Sequence, residues 1–188
     1  MNNPARILQT LDFHLTAPAE ITIFGRAALA LGYHGSRPEF AATHDVDGIL
    51  PMPWLAAPDE NTDFWEAQQK TNAELESAGL YITHLFRELE IILTPEWLAN
   101  RVNLRLNLAR LMVFRPSSLD LILTKMMRAD ENDLADIQFL LSQETITTVQ
   151  LQAAFAHARV PDVPEIREIF RAAQPKVLEI KAELGGWA

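Results

Sequence analysis

The sequence predicts an α+β fold, in which a small β-sheet flanked by helices is followed by a helical region. Three observations support this class. Residues 20–25 have the composition of a short strand that ends at a glycine and leads into a helix at residues 27–31. Residues 43–50 alternate polar and apolar side chains and stop at prolines, which is typical of a second strand. Beyond Pro116 the spacing of apolar residues is helical throughout.

The remaining elements follow in order along the chain. A helix is predicted over residues 61–77, closed by Gly79, and is followed by two tightly joined strands at 80–86 and 89–93. Pro95 indicates the start of a further helix, and residues 111–114 are predicted to form the last strand. These elements define a core at residues 1–115 and a helical region at residues 116–188. The helical region contains four predicted helices, at residues 119–127, 133–141, 148–158 and 164–184, the last bent or broken at Pro175.

Composition limits the classes of function. The chain has 188 residues, of which 48% are hydrophobic and 22% charged, as in ordinary globular proteins. Because it has no cysteine, disulfides and thiolate chemistry are excluded, and any metal must be held by oxygen or imidazole ligands. The N-terminal stretch lacks the apolar centre of a signal peptide, and no apolar run is long enough to cross a bilayer. We therefore expect a cytoplasmic protein without a membrane partner.

The charge of the chain disfavours broad attraction to nucleic acid. Its formal net charge is −9, whereas such affinity comes mostly from cations that neutralise phosphates. A local basic patch is still conceivable, because Arg101, Arg105 and Arg110 have a spacing that would place them on one helical face. A solvated helix face balanced by acidic helices is the simpler interpretation.

Two aspartates carry the strongest chemical signal. Asp45 and Asp47 lie two residues apart on a predicted strand, so their side chains should point the same way. Two converging carboxylates suit a hard divalent cation, such as Mg²⁺ or Mn²⁺, whose shell is completed by substrate phosphates. The simpler alternative for an isolated Asp-x-Asp is a solvated strand end.

The context of this pair resembles a known motif. Residues 24–31 (FGRAALAL) followed by 43–47 (THDVD) resemble the first motif of the polymerase-beta-like nucleotidyltransferases, where a strand ends in two small residues, a helix follows, and the next strand carries Asp-x-Asp. Residues 119–141 are similar to later motifs of the AbiEii-type branch and related uncharacterised bacterial proteins, where a lysine-bearing helix precedes an Arg-Asp-x-x-Asp helix. The resemblance spans roughly residues 21–141 and implies a nucleotidyltransferase-like core with a small mixed β-sheet.

The resemblance also implies roles for individual residues. Gly25 would let the backbone approach a nucleoside triphosphate, and Asp45 and Asp47 would bind the metal. Lys125 would contact phosphate, and Asp133 with Asp136 would form the later acidic motif. Three further candidates come from the residue types that such sites use: Glu90 as a third metal carboxylate, and Arg26 and Arg37 as nucleotide-binding cations.

The implied activity is metal-dependent transfer of a nucleoside monophosphate from a nucleoside triphosphate to a hydroxyl of RNA or protein, as in toxins that are paired with an antitoxin. Arg26 stands where the family usually has Gly or Ser, and Asn132 where it has Arg. These departures favour the alternative of a catalytically inactive binding protein. For Lys125, Asp133 and Asp136 the alternative is an ordinary amphipathic helix and acidic helix caps.

Two other enzyme classes share part of the motif. Residues 45–50 (DVDGIL) are similar to the nucleophile motif of haloacid-dehalogenase-type phosphatases, although that motif ends an apolar strand. The doublet His44–Asp45 is similar to the metal-binding doublet of the HD phosphohydrolases, whose ligands lie on helices.

Overall fold

The computed structural model describes residues 2–185. The chain forms two compact units, one from residues 2–88 and 101–115, the other from residues 89–100 and 116–185. The chain therefore passes between the units at three places, after residues 88, 100 and 115. The sequence predicted a single division at residue 115, whereas the structure assigns the segment 89–100 to the second unit as well.

The first unit contains a five-stranded mixed sheet. Its strands are β1 Ala19–Phe24, β2 Asp45–Leu50, β3 Tyr81–Arg87, β4 Val102–Asn103 and β5 Leu111–Arg115. Their order is β3-β2-β1-β5-β4. Strand β1 runs antiparallel to β2 and parallel to β5, β2 runs parallel to β3, and β4 runs antiparallel to β5. The α+β class with a mixed sheet and flanking helices is thereby confirmed.

Five helices belong to this unit: α1 Asn3–His14, α2 Gly25–Gly32, α3 Pro38–Ala41, α4 Met52–Ala56 and α5 Thr62–Leu75. Helix α1 packs against β2 and β5, α2 against β1 and β2, and α5 against β3. Helix α5 ends in a 3₁₀ turn, Glu76–Ala78, and then at Gly79, whose φ of 64° is the left-handed conformation expected of a helix-ending glycine. Helix α1 was not predicted, although its side chains Ile7, Leu8 and Leu11 are fully buried.

Two predictions for the middle of the chain are wrong. Residues 89–93 do not form a strand: a 3₁₀ turn covers Glu88–Glu90, and Leu93 forms only an isolated bridge with Arg159. The helix predicted to open at Pro95 is a series of turns. Residues 101–110 are mostly irregular apart from β4, so their arginines do not share a helical face. Short apolar runs do not distinguish a strand from a buried turn, because both lack polar interruption.

The second unit is helical after residue 116. Its helices are α6 Ser118–Lys125, α7 Glu131–Gln143, α8 Thr148–His157 and α9 Pro164–Gly185. Ser117 caps α6, Asp130 caps α7, and Thr147 with Gln150 forms a capping box on α8. The four predicted helices are confirmed. Of the two predicted alternatives at Pro175, a bend or a break, the break is wrong, because α9 is continuous with that proline inside it.

Candidate functional site

The two candidate metal ligands lie on strand β2 as predicted. Asp45 begins the strand and Asp47 follows two residues later, so both side chains face the same side of the sheet. Asp47 pairs with Phe24 at the end of β1, and Ile49 pairs with Thr22. Both residues are half-buried, and Asp47 Oδ1 is itself inaccessible to solvent. Thr43 Oγ1 donates a hydrogen bond of 2.8 Å to Asp45 Oδ1, which restricts the orientation of that carboxylate.

The glycine turn lies against this pair. Gly25 has a φ of 63°, which favours glycine, and it begins helix α2 directly after β1. A Cβ atom built on Gly25 would lie 3.6 Å from Asp47 Oδ2. Phe24, the N-cap residue of α2, makes no side-chain capping hydrogen bond. The positive end of the helix dipole and the first N–H groups of α2 are therefore next to Asp47, which is an arrangement suited to phosphate.

The candidate nucleotide-binding arginines also belong to the first unit. Arg26 follows Gly25 in α2, is half-buried and has interactions within the protein. Arg37 immediately precedes α3, with its guanidinium carbon 5.8 Å from the centre of the Phe40 ring and its Nη1 3.9 Å from Glu39 Oε1. These two contacts of Arg37 are with residues of α3, the helix that it precedes.

Arg101, which the sequence placed only in a conceivable basic patch, lies on the face of the sheet that carries the aspartates. Its Nη1 donates to Glu20 Oε1 at 3.0 Å and to Thr22 Oγ1 at 3.1 Å. Its guanidinium carbon is 4.4 Å from the centre of the Phe114 ring. Because Thr22 is two residues from Phe24 on β1, the Arg101 contacts share the side of the sheet that carries Asp47.

The other three predicted catalytic residues come together in the second unit. Lys125, at the end of α6, places its Nζ 2.6 Å from Asp136 Oδ2 and 3.3 Å from Asp133 Oδ1, both on α7. The two aspartates are 2% and 1% exposed, and Lys125 is 9% exposed. The charge of Lys125 is therefore matched inside the unit, and its burial differs from the solvent-reaching lysine of an amphipathic helix that the sequence offered as the alternative.

Two neighbouring groups extend this cluster. Arg128 Nε donates to Asp133 Oδ2 at 3.0 Å, and this hydrogen bond raises the pKa of Arg128. Asp130 accepts the backbone N–H of Asp133, and this bond lowers the pKa of Asp130. Both shifts favour the charged forms of the two residues. The loop from α6 to α7 is therefore held by ion pairs and a helix cap.

The third candidate metal ligand does not lie where it was expected. Glu90 belongs to the 3₁₀ turn Glu88–Glu90 rather than to a strand, and it falls in the second unit, whereas the aspartate pair belongs to the first. Within residues 2–185 no group of three or more His, Asp or Glu side chains is placed to hold a metal. The aspartate pair fits the other mode, in which Mg²⁺ uses one or two carboxylates and phosphates provide further oxygens.

The comparisons with known proteins found no relative: the chain matches no protein-family model, no curated protein and no solved structure. Among the described residues, no helix has the combination of length and apolar character that crossing a membrane requires.

The placement of Asp45 bears on the two other enzyme classes. It begins strand β2, whereas the phosphatase nucleophile ends a strand and the HD doublet lies on a helix.

Proposed function

We propose that this protein is a metal-dependent nucleotidyltransferase that moves a nucleoside monophosphate from a nucleoside triphosphate to a hydroxyl acceptor. One observation carries the proposal: Gly25 and the start of α2 lie against Asp47, on the strand that also presents Asp45. Phosphoryl transfer depends mainly on positioning and on stabilising negative charge, so a phosphate-binding helix end beside two carboxylates is a suitable arrangement.

The residues of the first unit have distinct tasks in this proposal. Asp45 and Asp47 would hold Mg²⁺ or Mn²⁺, which when bound neutralises part of the charge on the triphosphate. The first N–H groups of α2 bind phosphate oxygens, and glycine at position 25 leaves space for that approach. Thr43 orients Asp45 through its hydrogen bond. Arg26 and Arg37 are further candidates for contacts with the nucleotide.

The acceptor is the less defined part of the proposal. RNA and protein hydroxyls both fit the chemistry, and the formal net charge of −9 favours a protein acceptor because it repels nucleic acid. The family resemblance adds an antitoxin-like protein as a partner. Lys125, Asp133 and Asp136 remain candidates for a role in the reaction, which for Lys125 would require exchanging its aspartate partners for phosphate.

The decisive experiment uses each labelled nucleoside triphosphate with Mg²⁺ and either total RNA or total protein. We expect label transfer by the wild type and none by Asp47→Asn, because the amide is nearly the same size but brings no negative charge to the cation. Asp59→Asn is the matched control, since Asp59 is an exposed acid of the same unit, and it should keep full activity. Equal transfer by wild type and Asp47→Asn would refute the assignment.

Thermal unfolding in the same samples separates the catalytic proposal from its alternative. A triphosphate with Mg²⁺ at a hundred times its dissociation constant adds about 2.7 kcal/mol to the free energy of unfolding, which raises Tm by several degrees in a chain of this size. A rise in Tm without transfer would indicate the inactive nucleotide-binding protein. If no common triphosphate raised Tm, both the transferase and the inactive nucleotide-binding protein would be excluded.

A further inference from the structure

The first unit has a cleft that the proposed reaction does not use. It has a volume of about 230 Å³ and lies between the start of β1, helix α4 and the start of α5. The side chains that matter most for its chemistry are Trp54, Phe64, Glu20, Glu60 and Asp63. The described lining residues include three acids and no Lys, Arg or His. The cleft is therefore aromatic on one wall and negatively charged around it.

The three acids differ in how their charge is matched. Glu20 is paired with Arg101, whose Nη1 lies 3.0 Å from Glu20 Oε1. Asp63 accepts hydrogen bonds from Thr16 Oγ1 and from the backbone N–H groups of Thr16 and Ala17, at distances of 2.5 to 3.2 Å. The Thr16 hydroxyl, followed by these N–H groups, lowers the pKa of Asp63. These donors are neutral, so Asp63 keeps a net negative charge at the cleft.

Glu60 is the exposed acid of the three. Within residues 2–185 its carboxylate has neither an ion-pair partner nor a hydrogen-bond donor, although its backbone N–H donates to Ala57. The aromatic wall is well fixed, because the Trp54 ring meets the rings of Phe64 and Trp65 edge-on at centroid distances of 5.1 and 6.2 Å. A fixed indole beside the exposed carboxylate of Glu60 and the negative charge of Asp63 attracts a cation that is also flat enough to pack on an aromatic ring.

We propose that this cleft binds the guanidinium group of an arginine side chain from a partner protein. A guanidinium is planar, stacks on aromatic rings and bonds carboxylates through paired N–H groups, which a lysine ammonium does not do. The cleft volume is below that of a drug-sized site and suits a single side chain. The protein's own Arg101 already shows this mode of binding nearby, with its guanidinium over Phe114 and bonded to Glu20.

This site is independent of the proposed transferase reaction, since none of its residues belongs to the aspartate pair. The test follows backbone and indole N–H signals of the ¹⁵N-labelled full chain by NMR during titration with N-acetyl-arginine amide, without nucleotide or metal. N-acetyl-citrulline amide is the matched neutral probe and N-acetyl-lysine amide the matched ammonium probe. We expect saturable shifts at residues 17–20 and 60–64 and at the Trp54 indole with the arginine probe, weaker shifts with lysine and none with citrulline.

Variants assign the contacts. Glu60→Gln should weaken arginine binding by about three- to fivefold, the range for a charge near the surface. The control is Glu66→Gln, which should leave arginine binding unchanged, because Glu66 is an exposed acid on α5 that pairs with Lys70. Trp54→Leu should abolish saturation; if it also perturbs folding, the Glu60 variant still decides. Equal shifts with arginine and citrulline, equal effects of the two glutamine variants, or shifts spread over the acidic surface would each overturn the proposal.

Discussion

A single buried carboxylate joins the first helix to a distant part of the sheet. Asp12, on α1, accepts the backbone N–H groups of Ala109, Arg110 and Leu111 at 2.9, 2.7 and 2.8 Å. Burial by itself raises the pKa of Asp12. The three N–H bonds together lower this pKa by more than burial raises it, so the net shift is downward. Because Asp12 is only 9% exposed, these bonds are shielded from competition with water.

Asp12→Asn should reduce the free energy of unfolding by about 1–3 kcal/mol at pH 7, since the amide is a weaker acceptor and brings a donor toward other donors. The lowered pKa fixes the sign of the pH dependence. The contribution of Asp12 is complete above the pKa of the unfolded chain, about 3.9, and is lost as the pH falls through the lower folded value. Urea unfolding of wild type and variant should therefore converge in acid.

The exposed Asp59→Asn is the control for Asp12→Asn and should change stability by less than about 0.5 kcal/mol at any pH. A difference between wild type and Asp12→Asn that stayed constant down to pH 2 would contradict the role of the charge.

Residue-scale inference from sequence succeeded where partners are local. The strand period of two places Asp45 and Asp47 on one face, and this needed no knowledge of the tertiary structure. It could not identify Asp12 or Arg101. The N–H groups that donate to Asp12 lie 97 to 99 residues away in sequence, and Glu20 lies 81 residues from Arg101. No local pattern encodes such pairs, because they form only when the sheet is assembled.

At the scale of elements, a buried cluster of Lys125, Asp133 and Asp136 links α6 to α7. Lys125 holds both Asp133 and Asp136, and all three are at least nine-tenths buried. Lys125→Met should reduce the free energy of unfolding of the nucleotide-free protein by about 3–5 kcal/mol, because it leaves buried carboxylates without their cation. Denaturant titration followed by far-UV circular dichroism measures this effect.

The Lys125→Met prediction has a matched control, Lys70→Met, and a second substitution, Asp136→Leu, that should restore part of the lost stability. Lys70→Met removes a lysine that is 56% exposed and pairs with Glu66, and it should cost at most about 1 kcal/mol. Adding Asp136→Leu to Lys125→Met should recover part of the loss, since Asp133 keeps its bond to Arg128. If Lys125→Met were as mild as Lys70→Met, the cluster would not be holding the two helices.

Elements were predictable where periodicity and end signals agree. The helices at 118–125, 131–143 and 148–157 begin after Ser, Asp or Thr caps, which are residue types that mark a helix start. The strand predicted at residues 89–93 failed for a different reason. Ile91, Ile92 and Leu93 are all buried, at 1%, 0% and 0% exposure, so no polar alternation marks which of them faces a partner strand. Three consecutive buried residues leave the local geometry undetermined by pattern.

At the scale of the whole molecule, the division of the chain is not sequential. Segment 89–100 is tied to the second unit by several contacts. Asp120 Oδ1 accepts from Thr94 N and Thr94 Oγ1 at 2.7 and 2.9 Å, and Leu93 and Arg159 exchange backbone hydrogen bonds of 3.4 and 2.8 Å. Trp97 is fully buried. A sequence boundary at residue 115 gives no indication of this insertion, because the contacts that tie segment 89–100 to the second unit join residues far apart in the sequence.

This arrangement predicts the behaviour of fragments cut at the sequence boundary. A fragment of residues 1–115 keeps segment 89–100 but lacks the helices that cover Ile92, Leu93 and Trp97, so it should expose this apolar surface and self-associate. The same fragment with residues 89–100 replaced by a Gly/Ser linker of equal length should be monomeric and unfold cooperatively, since the whole sheet and helices α1 to α5 remain. Light scattering after size-exclusion chromatography and urea unfolding compare the two fragments at equal concentration. If the unmodified fragment were monomeric and as stable as the linker version, segment 89–100 would not need the second unit, and the division of the chain would be the simple one at residue 115.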